Sequence, residues 1–170
     1  QDGGFGWSNA DALSLYGTFT MAVYITPLFG GWLADNILGQ RKAIIIGGLL
    51  MAAGHFTMGI PHSVLAGQEE NVFYLGLALL CLGNGLFKPN ISTMVGDLYQ
   101  EGDQRRDGAF TIFYMGINLG GALGPLVAGA VAASFGWQYG FVAAGVGMVL
   151  SVLLQLALSN KYLGDIGIVP

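Results

Sequence analysis

The stretch Asn71–Gly96 reads NVFYLGLALLCLGNGLFKPNISTMVG and carries a single charge, Lys88. At about 26 residues it is long enough to cross a bilayer as a helix, because each residue advances the helix by about 1.5 Å. A Lys near the middle of such a span costs at least about 2.5–3.5 kcal/mol to insert. We therefore expect Lys88 either to meet a partner inside a protein or to line a wet pathway for a solute or a proton.

The composition of the chain favours a membrane protein. Of its 170 residues, 54% are hydrophobic and 9% are charged, whereas a soluble domain has about 25% charged residues. The single cysteine, Cys81, excludes an internal disulfide and needs no redox role. The sequence contains no recognisable metal cluster and no pair of nucleophile and base, so we expect neither a cofactor nor an enzymatic step. We also expect no nucleic-acid partner.

Five apolar segments have the length of transmembrane helices. They cover about 12–34, 43–61, 71–96, 109–133 and 137–159. The alternation of polar and apolar residues that is typical of barrel strands is missing. The sequence therefore predicts an all-α membrane protein, and we expect its five spans to be part of a larger helix bundle.

The basic residues indicate how the spans are oriented. Apart from Lys88, they all lie in the first or third joint between spans or after the fifth span (Arg41, Lys42, Arg105, Arg106 and Lys161). By the positive-inside rule this side is cytoplasmic, so the N-terminus faces outward. We expect a multi-pass protein of the cell (inner) membrane.

The third span carries a polar stripe. Asn84, Lys88 and Ser92 follow one another at four-residue intervals and so share one helix face. Pro89 has no N–H, which leaves the carbonyl of Gly85 without its helical donor and favours a kink beside the charge. None of the five spans contains Asp or Glu. If Lys88 has an anionic partner, we expect it to be a substrate carboxylate or a residue outside this chain.

Polar side chains on three spans reach a similar depth. Tyr24, Lys88, Tyr114 and Asn118 lie roughly 8–16 Å from the cytoplasmic ends of their spans, at about 1.5 Å per residue. Tyr114 and Asn118 are four residues apart and share a helix face. Transporters hold their substrates near the midplane of the bilayer. These residues, with Asn84 on the stripe of Lys88, are therefore candidates for substrate binding.

The joint between the first two spans combines charges with turn signals. From residue 30 to residue 42 it reads GGWLADNILGQRK. Asp35, at the end of one helix, can pair with Arg41 or with the N-terminus of the next helix, and Gly39 provides a turn. A clasp of this kind can form and break as two helices rock, so Asp35, Gly39 and Arg41 are candidate gating residues.

Three of these segments resemble one family. The joint at 30–42 resembles the loop signature of the major facilitator superfamily, with the Asp-to-Gly spacing of its proton-dependent oligopeptide transporter (POT) branch. Asn36 departs from the pattern, since the family usually has a basic residue there. The segment FYMGINLGG (113–121) is similar to the second POT signature, and GNGLFKPNIS (83–92) resembles the corresponding POT helix.

The resemblance implies a fold, an activity and a set of partners. The five spans would be helices two to six of a major facilitator N-terminal six-helix bundle, with the first helix and the carboxyl-terminal half outside residues 1–170. The activity would be proton-coupled symport of di- and tripeptides by alternating access. The expected partners are short peptides, protons, the lipid bilayer, and the missing first helix and C-terminal bundle of the same protein.

The resemblance also implies roles for individual residues. Tyr24, Tyr114 and Asn118 match positions that contact peptide in the family, and Lys88 matches a Lys that takes part in binding and in proton coupling. The family carries an ExxER-type acidic motif on its first helix. We expect a glutamate of that motif to be the anionic partner of Lys88.

Another motif leaves an alternative open. The segment GGALGPLVAG (120–129) also looks like the fifth-helix motif of major facilitator drug:proton antiporters, so the alternative is an antiporter of drugs or other organic solutes. Gly116, Gly120 and Gly124 form a stripe suited to close helix packing. A third hypothesis is a receptor or structural membrane subunit. An ExxER-type motif just before Gln1 would favour the symporter, whereas a receptor would bind ligand without driving uptake.

Overall fold

A computed structural model describes residues 5–170 as five long helices joined by short turns. The helices are α1 (Asn9–Leu33), α2 (Gln40–Met58), α3 (Glu69–Asp97), α4 (Arg105–Phe135) and α5 (Trp137–Tyr162). α1 runs into a π-helical turn, Ala34–Leu38, and a 3-10 turn, His62–Val64, lies between α2 and α3. Residues 5–170 contain no strand, and the predicted all-α class is confirmed.

Each predicted span overlaps one of the helices. α2 ends at Met58, before the predicted limit at Pro61, because the residue that precedes a proline is disfavoured in helical backbone. Four helices are long and apolar enough to cross a membrane: α1 with its π-helical turn, α3, α4 and α5. α2 has only 19 residues, so any stretch of 18 includes the charged Arg41 and Lys42. These two charges lower the mean hydropathy of such a stretch below that of the most apolar stretch in each of the other helices.

Local signals in the sequence explain where two of the helices begin. Ser8 precedes α1, and its hydroxyl accepts a hydrogen bond from the backbone N–H of Asp11 at 3.2 Å, as an N-cap residue does. Gly136 alone separates α4 from α5. Its φ of +110° is a conformation that other residues rarely adopt, so a glycine is needed for this abrupt turn.

Small residues let the helices approach one another closely. A Cβ on Gly30 of α1 would overlap the backbone carbonyl of Gly85 in α3, and a Cβ on Gly47 of α2 would lie 2.6 Å from the carbonyl oxygen of Gly83. The helices are neighbours in the order α1, α3, α2, α5, α4. α1 and α4 therefore lie at the two ends of the row, and α3 and α4 contact each other only sparingly.

α4 is the least covered helix. None of its residues is buried, and large apolar side chains are exposed along it. A Cβ on Gly116, Gly120 or Gly124 would meet no atom within 4 Å. The stripe of glycines that the sequence marks for close packing is therefore open within residues 5–170.

The two ends of the bundle differ in chemistry. At one end Arg41 reaches the end of α5, the helix that carries Lys161 in its last turn. At the other end aromatic rings cluster, with Phe5 stacked on Trp7 at 4.9 Å between ring centroids, and Trp7 donates to Glu70 at 2.8 Å. Tryptophan is enriched where membrane proteins meet the headgroup region.

Candidate functional site

Lys88 and Tyr24 meet where α3 contacts α1. The ammonium nitrogen Nζ of Lys88 lies 5.3 Å from the centroid of the Tyr24 ring, within the range of a cation–π interaction. Both side chains are exposed, Tyr24 to 70%. Within residues 5–170 Lys88 forms no ion pair. The structure thus joins two of the predicted site residues and presents the ammonium group at the surface of the bundle.

One ion pair is present in the described part of the chain, in the joint between α3 and α4. Arg105 contacts Asp103 at 2.7 Å, and its hydrogen bonds hold the pKa of the Asp103 carboxyl below its usual value. The Arg105 side chain is 80% exposed, so water weakens the attraction. This pair belongs to the loop and not to the region of Lys88.

Asn84 connects α3 to α1 one helical turn away from Lys88. Its side-chain nitrogen Nδ2 donates to the backbone oxygen of Val23 at 3.3 Å. Val23 lies four residues before Pro27, which has no N–H to donate, so this carbonyl lacks its helical partner. One N–H of the Asn84 amide is therefore used within the bundle, and its Oδ1 can accept a hydrogen bond from a substrate.

Asn90 also joins α3 to α1, and the sequence did not identify it as a structural residue. It is 2% exposed, and its Nδ2 donates to Leu86 O at 2.6 Å and to Gly30 O at 3.4 Å. The signal for it was an amide residue directly after Pro89 in an apolar span. α3 continues as one helix across this proline, and the backbone of Gly30 lies against the carbonyl of Gly85 that the proline frees.

Tyr114 and Asn118 share a face of α4. Asn118 Nδ2 donates to the backbone oxygen of Tyr114 at 2.9 Å, and Tyr114 is 55% exposed. The Tyr114 ring packs near Phe113, with 5.7 Å between centroids. Because α4 packs mainly on α5, the structure does not bring this pair into contact with Lys88.

Lys88 and Asn84 of α3 nevertheless lie at the same depths as Tyr114 and Asn118 of α4. α3 and α4 approach each other at Gly96 and Arg106, where a Cβ on the glycine would lie 3.0 Å from the guanidinium. Counted from this contact at about 1.5 Å per residue, Lys88 and Tyr114 are both about 12 Å away, and Asn84 and Asn118 both about 18 Å away. Residues of α3 and α4 thus reach corresponding depths.

The structure does not pair Asp35 with Arg41, which is one of the two partners that the sequence suggests for it. Arg41 is 6% exposed, and its guanidinium donates to Asn160 Oδ1 at 3.2 Å and to the backbone oxygen of Gly164. Asp35 is exposed and forms no ion pair in residues 5–170. α2 begins after the turn at Gly39 (φ +77°), and Arg41 at its start reaches the end of α5. A cation is favourable there because helix C-termini carry partial negative charge.

Gly39 is buried beneath the segment that follows α5. A Cβ at this position would lie 2.6 Å from the backbone oxygen of Ile168, and the N–H of Arg41 donates to Gly167 O at 2.9 Å. Two of the three predicted gating residues therefore contact the chain beyond α5. No local pattern in the sequence pointed to this contact, because it joins residues more than 100 positions apart.

A large groove of the bundle lies elsewhere. It has a volume of about 970 Å³ and is lined mainly by α4 and α5, with small residues such as Gly120 and Gly124 and aromatic ones such as Trp137, and by His55 of α2. None of the predicted site residues lines it. Residues 5–170 contain no group of three or more side chains that could hold a metal ion.

Comparison with known proteins gives consistent matches. Residues 41–163 match the family model PTR2, described as the POT family. A peptide transporter of Yersinia enterocolitica, YePEPT, is 40% identical over 98% of this chain and 33% of its own length. Dipeptide and tripeptide permease A of Klebsiella pneumoniae is 36% identical over 97% of this chain and 32% of its own.

Solved structures agree with the sequence matches. The crystal structure of a peptide transporter, POT, in complex with sulfate superposes with a TM-score of 0.91. It is 42% identical over 98% of this chain and 32% of its own. The chain therefore spans about a third of the length of the proteins that it matches.

Proposed function

Because this chain belongs to the POT family, we propose that it is part of a proton-coupled symporter that moves di- and tripeptides across the membrane by alternating access. The chain is a membrane protein with the helical fold of POT transporters. Two relatives named for peptide transport and for dipeptides and tripeptides support this choice of substrate. Since these relatives are transporters and not enzymes, we assign no catalytic residue.

The ammonium group of Lys88 is the observation that carries the proposal. It lies against the Tyr24 ring, on an exposed face of an apolar helix, and has no carboxylate partner in residues 5–170. A cation is costly in this setting unless it meets an anion or water. The anion is the C-terminal carboxylate of a peptide or a glutamate of the first helix. Protonation of that glutamate weakens its hold on Lys88 and shifts the balance between the two access states.

The neutral polar residues extend this site. Tyr24, Asn84, Tyr114 and Asn118 bind polar groups of the peptide backbone, which allows the peptide side chains to vary. Depth in the membrane supports this role. The residues of α3 and α4 lie at corresponding depths, and substrates of transporters bind near the midplane.

The remaining walls of the site come from chain outside residues 1–170. We assign the five helices to positions two to six of an N-terminal six-helix bundle, with a first helix and a C-terminal bundle completing the transporter. The open groove between α4 and α5, and the absence of buried residues on α4, support a further helix on this side. At the cytoplasmic end Gly39 and Arg41 brace α2 against α5, and Asp35 is exposed for a gating partner in the other half.

Uptake driven by an imposed pH gradient tests the proposal. Full-length protein in proteoliposomes should accumulate a radiolabelled dipeptide when the interior is more alkaline than the medium, and a protonophore should stop the accumulation. An antiporter would instead require an acidic interior. Binding of the dipeptide without accumulation under either gradient would favour a receptor and would contradict the proposal.

Asn118→Ala should raise the KM for a dipeptide about fivefold, because loss of one hydrogen bond to the substrate costs about 1 kcal/mol. KM is measured in the same proteoliposomes. Thr111→Val is the matched control, since Thr111 also donates to the carbonyl four residues before it, at 2.9 Å, but lies outside the site. An equal KM for the Asn118 variant and the wild type would reduce Asn118 to a packing role.

A further inference from the structure

We infer that Asn84 is a positioning residue, whose side-chain amide holds α3 against a proline-freed carbonyl of α1 and thereby sets Lys88 against Tyr24. This role goes beyond a contact between Asn84 and peptide. It rests on the proposed function only for its transport readout, because the helix contact itself can be measured without transport.

The first step is the unusual acceptor. Pro27 lies inside α1 and cannot donate to Val23 O, so this carbonyl lacks the donor that a regular helix would supply. In the apolar part of a membrane no water replaces the missing donor, and an unsatisfied backbone group is strongly unfavourable. The Nδ2 of Asn84, at 3.3 Å, is the donor that α3 provides.

The second step is the relation of this bond to the site. Lys88 follows Asn84 by one helical turn on the same face of α3, and Tyr24 directly follows Val23 in α1. The hydrogen bond and the contact between Lys88 and the Tyr24 ring are therefore neighbouring interactions between the same two helices. A shift of α3 along or away from α1 disturbs both together.

The third step is the difference between the hydrogen bond of Asn84 and two others that join α1 and α3. Thr26 Oγ1 donates to Cys81 O at 3.0 Å, and Asn90 donates to Gly30 O. Each of these two carbonyls has a helical donor of its own. Residue 85 is a glycine with an N–H that can serve Cys81, and the N–H of Ala34 donates to Gly30. Among these three bonds, only the one from Asn84 supplies a donor that a proline has removed.

The dependence on Pro27 can be tested through the reactivity of Cys81. This thiol is 8% exposed, and its Sγ lies 4.0 Å from Phe19 O of α1, so its rate of reaction with a maleimide reports separation of α1 from α3. In full-length protein with Cys81 as its only cysteine, Asn84→Ala should raise that rate about three- to twentyfold, the range of hydrogen bonds between membrane helices. Pro27→Ala restores the N–H, so adding Asn84→Ala to it should change the rate less than twofold.

Transport should follow the same pattern. Asn84→Ala should lower kcat for dipeptide uptake more than it raises KM, and Pro27→Ala should restore kcat in the double variant. Thr26→Val is the matched control, because Thr26 donates to the carbonyl of Cys81, which no proline deprives of its helical donor. Its effect on the labelling of Cys81 should be the same with and without Pro27→Ala.

Two results would overturn the inference. One is an effect of Asn84→Ala on labelling that is the same with and without Pro27→Ala. The other is unchanged labelling with a raised KM, which would make Asn84 a direct peptide contact.

If Pro27→Ala does not fold, Asn84→Ser, which keeps a donor, should label more slowly than Asn84→Ala, and equal rates would overturn the inference. If wild-type protein takes up no dipeptide, the transport proposal fails, while labelling still decides the role of Asn84.

Discussion

Lys88→Ala should reduce proton-driven accumulation of a dipeptide at least about hundredfold, because removing one partner of a desolvated ion pair costs about 3–5 kcal/mol. The proposed partner, a peptide carboxylate or a glutamate of the first helix, would then lie in the site without a cation. Protonation of that glutamate would also no longer release a bound Lys. In the proposed mechanism, both the binding of peptide and its coupling to protons depend on this ammonium group.

The measurement is the initial rate of radiolabelled dipeptide uptake into proteoliposomes with an alkaline interior. Lys161→Ala is the matched control, because the Lys161 ammonium also lies over a tyrosine ring, that of Tyr162 at 5.2 Å, but at the end of α5. This control should transport at close to the wild-type rate. Proton-coupled uptake that persists in Lys88→Ala would contradict the role given to Lys88.

Gly30→Ala should lower the free energy of unfolding by about 3 kcal/mol or more, or prevent folding, because the added methyl group would overlap the backbone of Gly85. A flexible side chain could move aside, but here the nearest atoms belong to the backbone of α3. α1 and α3 would have to separate, and the hydrogen bond from Asn84 to Val23 would lengthen with them.

The adjacent glycine provides the control for Gly30→Ala. A Cβ on Gly31 would meet only the Cβ of Pro89, at an ordinary 3.8 Å, and alanine is favoured over glycine in a helix by up to about 1 kcal/mol. Gly31→Ala should therefore melt at or slightly above the temperature of the wild type. Thermal unfolding of the two full-length variants in detergent provides the comparison. Equal melting temperatures would show that α1 and α3 do not approach as closely as described.

The helices of this chain could be predicted because their signals are local. Apolar runs of span length are properties of neighbouring residues, and they identified the all-α class. Lys88 could also be identified from the local sequence, since it is the single charge in an apolar run. The family resemblance of that segment and of residues 113–121 is confirmed by the match of residues 41–163 to the POT family.

Contacts between distant residues could not be predicted in the same way. Arg41 was one of two partners suggested for Asp35, six positions away, but it donates to Asn160 of α5. The pairing of Asn84 with Val23 depends on how α1 and α3 are aligned, which neither segment specifies alone. Tyr114 and Asn118 remain predictions for a further reason. They lie on α4, at the far end of the row from α1, and no contact with Lys88 in residues 5–170 tests the role proposed for them.

The pH inside proteoliposomes that contain the full-length protein tests symport most directly. With no imposed pH gradient, a dipeptide added outside should drive protons inward, so an internal pH dye should report acidification that Lys88→Ala abolishes. Entry of the dipeptide with no change in internal pH, or with alkalinisation, would contradict coupled movement of peptide and proton in the same direction.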